Sequence, residues 1–183
     1  MKFKTALLFY LLYSATNLFS QNDINQLKKI NEGLHFMYFD SSNSKSTIVE
    51  FKDYLVMIEV PIIDKGGGAT ELIDHIEGGE KVLRTLKNHF PSKPLKYILH
   101  SHWHMHSISS ITPFIKNGVS IVSTKMNFDV LSKFMDVSVV ESNMKNFIFV
   151  DGDSLVISDG ENKIIAYRFE QKDYPSTPTK DYL

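Results

Sequence analysis

The chain has 183 residues, 43% of them hydrophobic, which suits one domain with a real core and leaves little room for a second. Lys and Arg number 20 against 21 Asp and Glu, so no basic field exists to hold a phosphate backbone, and nucleic acid is not an expected partner. The absence of cysteine removes disulfides, thiol catalysis and Cys-type zinc sites together, so any metal site must draw on His, Asp and Glu.

The first twenty residues, MKFKTALLFYLLYSATNLFS, place Lys2 and Lys4 ahead of an apolar run from Ala6 to Tyr13, followed by small and polar residues. That layout predicts a signal peptide over residues 1–20, cut near Ser20 or Gln21, with a domain over 21–183. The run is shorter than the roughly 18 apolar residues of a membrane span, and no lipoprotein cysteine follows it, so no stable membrane anchor is expected. The expected location is the periplasm or the medium. A short helix is expected around Asn22 to Asn31. Two runs rich in β-branched and aromatic residues follow, Leu34 to Asp40 and Ser46 to Ile62, and the SSNSK turn between them predicts a hairpin or meander. DKGGG, Asp64 to Gly68, breaks regular structure.

From Glu80 to Phe90, apolar residues at Val82, Leu83, Leu86 and Phe90 alternate with charges at helical spacing, and Pro91 and Pro94 close that helix. LKYIL, Leu95 to Leu99, is a short strand. Ile111 to Asn117 turns helical, with Pro113 near the start and Gly118 as the stop. Val119 to Ser123 is again a strand, and Thr124 caps a helix carrying Phe128, Leu131 and Met135. Three strands close the chain, around Phe147–Val150, Ser154–Ile157 and Lys163–Phe169, with SDGEN as the hairpin turn between the last two. Strands, then alternating strand and helix, then strands again describe an α/β protein with a mixed sheet flanked by helices.

LHSHWHMHS, Leu99 to Ser107, holds four of the seven histidines, at every second position from His100 to His106. If the strand ran on, all four rings would line one face with nothing to bind. If it ends near Leu99, they can gather at the strand's C-terminal mouth, where α/β sheets place their sites. Neutral imidazole nitrogen is a preferred ligand of zinc, which makes the cluster a candidate metal site; a solvated polar loop is the alternative. His35, His75 and His89 stand alone in the sequence and read as surface or satisfied core residues.

The stretch LKYILHSHWHMHSISSITPFIKNGVSIVST resembles the strand, metal loop, helix and strand of the metallo-β-lactamase-fold family, whose signature is H-x-H-x-D-H or H-x-H-x-D-S followed by x-G-G. Upstream, LHFMYFDSSNSKSTIVEFKDYLVMIEVPI resembles that family's opening hairpins, with Glu59 where the family has an aspartate. The likeness runs from Leu34 to Phe169. It implies a partial αββα metallo-β-lactamase-like sandwich, with His102 and His104 as ligands of a first zinc. His106 falls on the aspartate that binds a second zinc and orients the attacking water. Ser107 stands at a position that is histidine or serine in the family, and Ser109 and Ser110 replace two glycines. A register shifted by two would make His100 and His102 the leading pair, at the cost of that last match; in the first register His100 is an outer partner that holds a ligand by a hydrogen bond.

What the resemblance implies is an exported zinc-dependent hydrolase with one zinc or two, in which a metal-bound hydroxide attacks an ester, amide or lactam-type bond of a small molecule. His106 is the candidate catalytic residue, and His102, His104 and His106 are the candidate metal ligands. The departures point to impaired turnover: ligated histidine accepts a proton from bound water less well than a carboxylate does, and no histidine follows His106. Tyr174, Asp173 or Asp181 are the oxygen donors available in the place of the later ligand. The family's second half would follow Leu183, so a C-terminally incomplete domain is expected, with an open sheet edge that invites a homodimer. A non-catalytic homologue or fragment that acts as a binding protein is the alternative reading.

Overall fold

The computed structural model describes residues 25–39, 45–60, 72–102, 105–170 and 181–182, with side chains over 27–38, 45–60, 76–102 and 111–169. Seven strands form one mixed sheet in chain order: β1 (Asn25–Asn31), β2 (Leu34–Phe39), β3 (Lys45–Glu50), β4 (Leu55–Ile58), β5 (Leu95–Leu99), β6 (Ser120–Ser123) and β7 (Phe147–Phe149). Strands β1 to β4 are an antiparallel meander, and β4 to β7 are parallel. Parallel neighbours need long crossovers, and helices supply them. α1 (Leu72–His89) joins β4 to β5, α2 (Met105–Lys116) joins β5 to β6, and α3 (Lys125–Leu131) with α4 (Val137–Ser142) lead to β7.

Strand alternation sends Ile48, Leu55, Met57, Ile98 and Ile121 to one face, where Val82, Leu86, Ile111, Phe114 and Phe128 of the helices close over them. The other face carries Val56, Leu99 and Val122 and packs on Ile157 and Ala166 of a separate antiparallel hairpin, β8 (Ser154–Ser158) and β9 (Lys163–Tyr167). Asp159 shapes that hairpin's turn by accepting the Glu161 and Asn162 N–H groups, and accepts the Lys52 N–H at 2.6 Å, tying the hairpin to the β3–β4 turn. A last pair, β10 (Phe169–Glu170) and β11 (Asp181–Tyr182), follows. No helix among the described residues is long and apolar enough to cross a membrane.

Several local expectations change. The helix expected over 22–31 is strand β1 from Asn25, because β2 offers a ladder that outweighs the local preference of a polar segment. The long run from Ser46 divides into β3 and β4 around a turn in which Phe51 stacks on Tyr54 at 4.9 Å. α1 starts at Leu72 rather than Glu80, running through Gly78 and Gly79; both glycines are buried, so packing offsets their low helix propensity. α2 starts at Met105, ahead of Pro113, and ends where Gly118 takes φ 78° and the Val119 N–H turns back to the Phe114 carbonyl at 3.0 Å. α4 was not expected. The signal-peptide segment 1–20 and the DKGGG stretch lie outside the described residues.

Candidate metal site

Three parallel strands end side by side at the mouth that holds the histidine loop. At the end of β4 the chain turns through Glu59, the only described non-glycine residue with positive φ, at 61°. Its N–H donates to the Leu99 carbonyl at 3.0 Å, and its carbonyl accepts from Ser46 Oγ at 2.6 Å, so both sides of the turn are held. A left-handed conformation costs a residue with a Cβ about 1–2 kcal/mol, and such strain collects at functional sites. Here it turns the carboxylate towards the end of β5.

That end is anchored from behind. The His100 N–H donates to the Val122 carbonyl at 2.9 Å, and Ser123 Oγ donates to the His100 carbonyl at 2.8 Å. Asn127, fully buried in the first turn of α3, donates Nδ2 to the Ser101 carbonyl at 2.9 Å, while its own N–H is capped by Thr124 Oγ1 at 3.2 Å. The loop therefore leaves the sheet from a fixed point.

Around that point stand Glu59, His100, Ser101 and His102. The Glu59 Oε1 accepts the Ser101 N–H at 2.8 Å. The Glu59 Oε2 lies 3.5 Å from His100 Nδ1, and Oε1 lies 3.9 Å from His102 Nδ1. Ser101 Oγ is 2.7 Å from that same His102 nitrogen. Burial by itself would raise the Glu59 carboxyl; the facing His100 ring and the Ser101 N–H outweigh it and hold the group below the usual carboxylate range. A negative charge is thus set beside two imidazoles.

The His100 ring is 0% exposed, and neither ring nitrogen has a hydrogen-bond partner among the described residues. Leaving a buried polar atom unpaired costs about 1–3 kcal/mol, which a purely structural position would avoid with an apolar side chain. The His102 side chain is 37% exposed and faces the mouth. Its Nδ1 is the ring nitrogen that meets Ser101 Oγ.

The other candidate ligands are placed less fully. His104 lies outside the described residues, as do Trp103, Asp173 and Tyr174. The backbone of His106 is the second residue of α2, and that of Asp181 belongs to β11; their side chains lie outside the described set. Among the described residues no three His, Asp or Glu side chains converge closely enough to hold an ion. The donor chemistry still fits zinc, because the sequence supplies imidazoles at a strand exit whose start is held by Ser123 and Asn127.

The solitary histidines behave differently. His35 is buried, pairs through Nε2 with Glu50 Oε1 at 2.7 Å and meets the Phe90 ring edge-on, so it is a satisfied core residue. His89 sits on the surface with Nδ1 against the Thr85 carbonyl at 2.9 Å. The side chain of His75 lies outside the described set. Sequence reasoning passed over Asn127, Ser101 and Ser123. Only Asn127 left a trace in the sequence, standing three residues after the capping Thr124.

No family model and no curated protein sequence matches the chain. Solved structures do. A metallo-β-lactamase from Pontibacter korlensis superposes with a TM-score of 0.55 at 16% identity, covering 78% of this chain and 60% of the other. The DIM-1 metallo-β-lactamase, in a structure exposed to ceftazidime, superposes with a TM-score of 0.50 at 13% identity, covering 78% and 65%. This likeness shows the metallo-β-lactamase fold. The chain spans less than two thirds of the length of either neighbour.

Proposed function

We propose that this metallo-β-lactamase-fold chain is an exported zinc-dependent hydrolase of a small-molecule substrate, with His102, His104 and His106 as the metal ligands. The observation that carries the reading is the His102 ring at the strand exit, with Nδ1 engaged by Ser101 and the Glu59 carboxylate behind it. A metal-ligating histidine is commonly oriented in this way by a partner on its second nitrogen. Zinc, when bound, supplies Lewis acidity and draws the pKa of a water towards about 7. The chain's own residues do the rest. Glu59 sets a negative charge beside the His102 ring, its Oε1 3.9 Å from Nδ1. Asn127 and Ser123 hold the start of the loop through the Ser101 and His100 carbonyls. His106 falls where the signature that this stretch resembles has an aspartate and, once ligated, would accept a proton from bound water poorly. That favours slow turnover, and it gives the second reading, a binding protein without turnover, its specific support. Export rests on the predicted leader over residues 1–20.

Elemental analysis of untagged mature protein tests this. The expected result is about one zinc per chain, lost in the double variant His102→Ala, His104→Ala. An ester and lactam substrate screen then separates hydrolase from binder. Zinc absent from both proteins would remove the hydrolase reading.

A further inference from the structure

Three dipeptides in the chain, Asn117–Gly118, Asp151–Gly152 and Asp159–Gly160, set a side-chain carbonyl carbon next to a glycine backbone nitrogen that can attack it. Glycine favours this chemistry because no side chain hinders the approach and its backbone turns freely. The ring that closes is a succinimide. From aspartic acid, the glycine N–H proton and the carboxyl OH leave together as water; from asparagine, the same proton leaves with the amide as ammonia. Water then reopens the ring. Opening at the main-chain carbonyl yields isoaspartate, whose backbone is longer by a methylene.

The fold treats the three pairs unequally. Just after α2, Asn117 Nδ2 donates to the Pro113 carbonyl at 2.8 Å, and the Gly118 N–H donates to the Ile115 carbonyl at 2.9 Å. The amide is tied back to the helix and the attacking nitrogen is engaged. Asp159 accepts the Asn162, Glu161 and Lys52 N–H groups at 2.7, 3.0 and 2.6 Å, while the Gly160 N–H donates to Ser158 Oγ at 3.1 Å. The Asn162 and Lys52 N–H groups also hold the Asp159 carboxyl below the usual range, which depletes the neutral acid that loses water. Asp151 and Gly152, which follow β7, are both exposed. Among the described residues no group bonds the Asp151 carboxylate and no backbone carbonyl takes the Gly152 N–H.

We propose that Asp151–Gly152 is a site of spontaneous isoaspartate formation in the folded chain, and that Asn117–Gly118 and Asp159–Gly160 are protected by their hydrogen bonds. Ring closure at the protected pairs must first break bonds on both the side chain and the attacking nitrogen; at Asp151 it breaks none that the described residues make. The flanking chain is fixed, with the Val150 N–H on the Ser123 carbonyl at 3.0 Å and the Arg168 N–H on the Asp153 carbonyl at 2.8 Å. The extra methylene therefore enters between two held points. It does so at the end of β7, in the same row of parallel strand ends as the histidine loop that leaves β5.

The test incubates the full chain near neutral pH, folded in buffer and unfolded in urea, and maps its peptides over time by mass spectrometry. Electron-transfer fragmentation separates isoaspartate from aspartate, and the mass change reports deamidation of Asn117. Each pair is compared with itself, which removes the intrinsic difference between asparagine and aspartate. Folding should slow Asp151 by no more than about 3-fold, as expected where local opening costs almost nothing. It should slow Asn117 and Asp159 by about 10-fold or more, the effect of the bonds that must break. Gly152→Ala adds a methyl that meets no heavy atom within 4 Å, so the fold is kept while attack is hindered. Isoaspartate at residue 151 should then fall in a chain whose circular dichroism matches the wild type. Folding that slows Asp151 as much as the other two pairs overturns the proposal. So does an Asp159 or Asn117 that reacts as fast folded as unfolded, or a Gly152→Ala chain that modifies Asp151 at the wild-type rate.

Discussion

The two faces of the seven-stranded sheet both carry apolar side chains and are unequally covered among the described residues. On the helical face, Met37, Ile48, Leu55, Met57 and Ile98 are each 0% exposed beneath α1, α2 and α3. On the opposite face, Val56 and Val122 are buried to the same degree, but Val49, Ile58, Tyr97 and Ile148 are only partly covered by the β8–β9 hairpin. The reason is dimensional. Seven strands spaced by about 4.8 Å make a surface roughly 30 Å wide, and two strands span about 10 Å of it. Packing quality at the centre is similar; its extent is what differs.

The comparison can be broken most easily at its deepest point. Phe114→Ala removes a fully buried ring from the helical face and should cost about 3–5 kcal/mol. Ile157→Ala, on the hairpin, should cost about 2 kcal/mol, at the low end for its type, because the partly open face relaxes into the space left behind. Urea unfolding of the two variants measures both; equal losses would show that the two cores are closed to the same degree.

A smaller effect concerns the seam between sheet and helical layer. Glu50 on β3 takes Lys93, from the connection after α1, at 2.9 Å and His35 of β2 at 2.7 Å. Burial would raise its carboxyl, but these hydrogen bonds and charges prevail and hold it below the usual range. A lowered native pKa means the stabilisation is present in full above the unfolded value near 4.5 and is lost as pH falls through the native one. Glu50→Gln should therefore lower stability at neutral pH by on the order of 1–2 kcal/mol and flatten the acid limb of a pH–stability curve. A variant curve parallel to the wild type below pH 4.5 would contradict the pairing.

The smallest effect is expected on the hairpin's outer surface, where Val156 is 56% and Tyr167 63% exposed. Val156→Lys should change stability by less than about 0.5 kcal/mol and leave the sedimentation coefficient unaltered. A shift to a lighter species would put a second copy of the chain on this face and close the difference between the two sides.

Much of this fold was legible along the chain. The helix through Val82 and Leu86, the LKYIL strand, the capping Thr124 and the SDGEN turn each follow from periodicity or turn chemistry, which act over a few residues. β1 was not legible, since NQLKKIN becomes a strand only because β2 lies beside it. The upstream turns of α1 were hidden by Gly78 and Gly79, whose burial is a fact about neighbours rather than about the segment.

The candidate site divides along the same line. The spacing of His100, His102, His104 and His106 after an apolar strand is local information, and it suffices to point to imidazole chemistry at a strand exit. Which ring is buried, which faces the mouth, and which carboxylate stands between them depend on Glu59, separated from His100 by the whole of α1 and brought to it when β4 and β5 pair in parallel. Sequence determines what each segment prefers and what chemistry it carries, because propensity and side-chain identity belong to the residue. Only the tertiary structure decides burial, strain and charge environment, because those are set by atoms that are distant along the chain and adjacent in space.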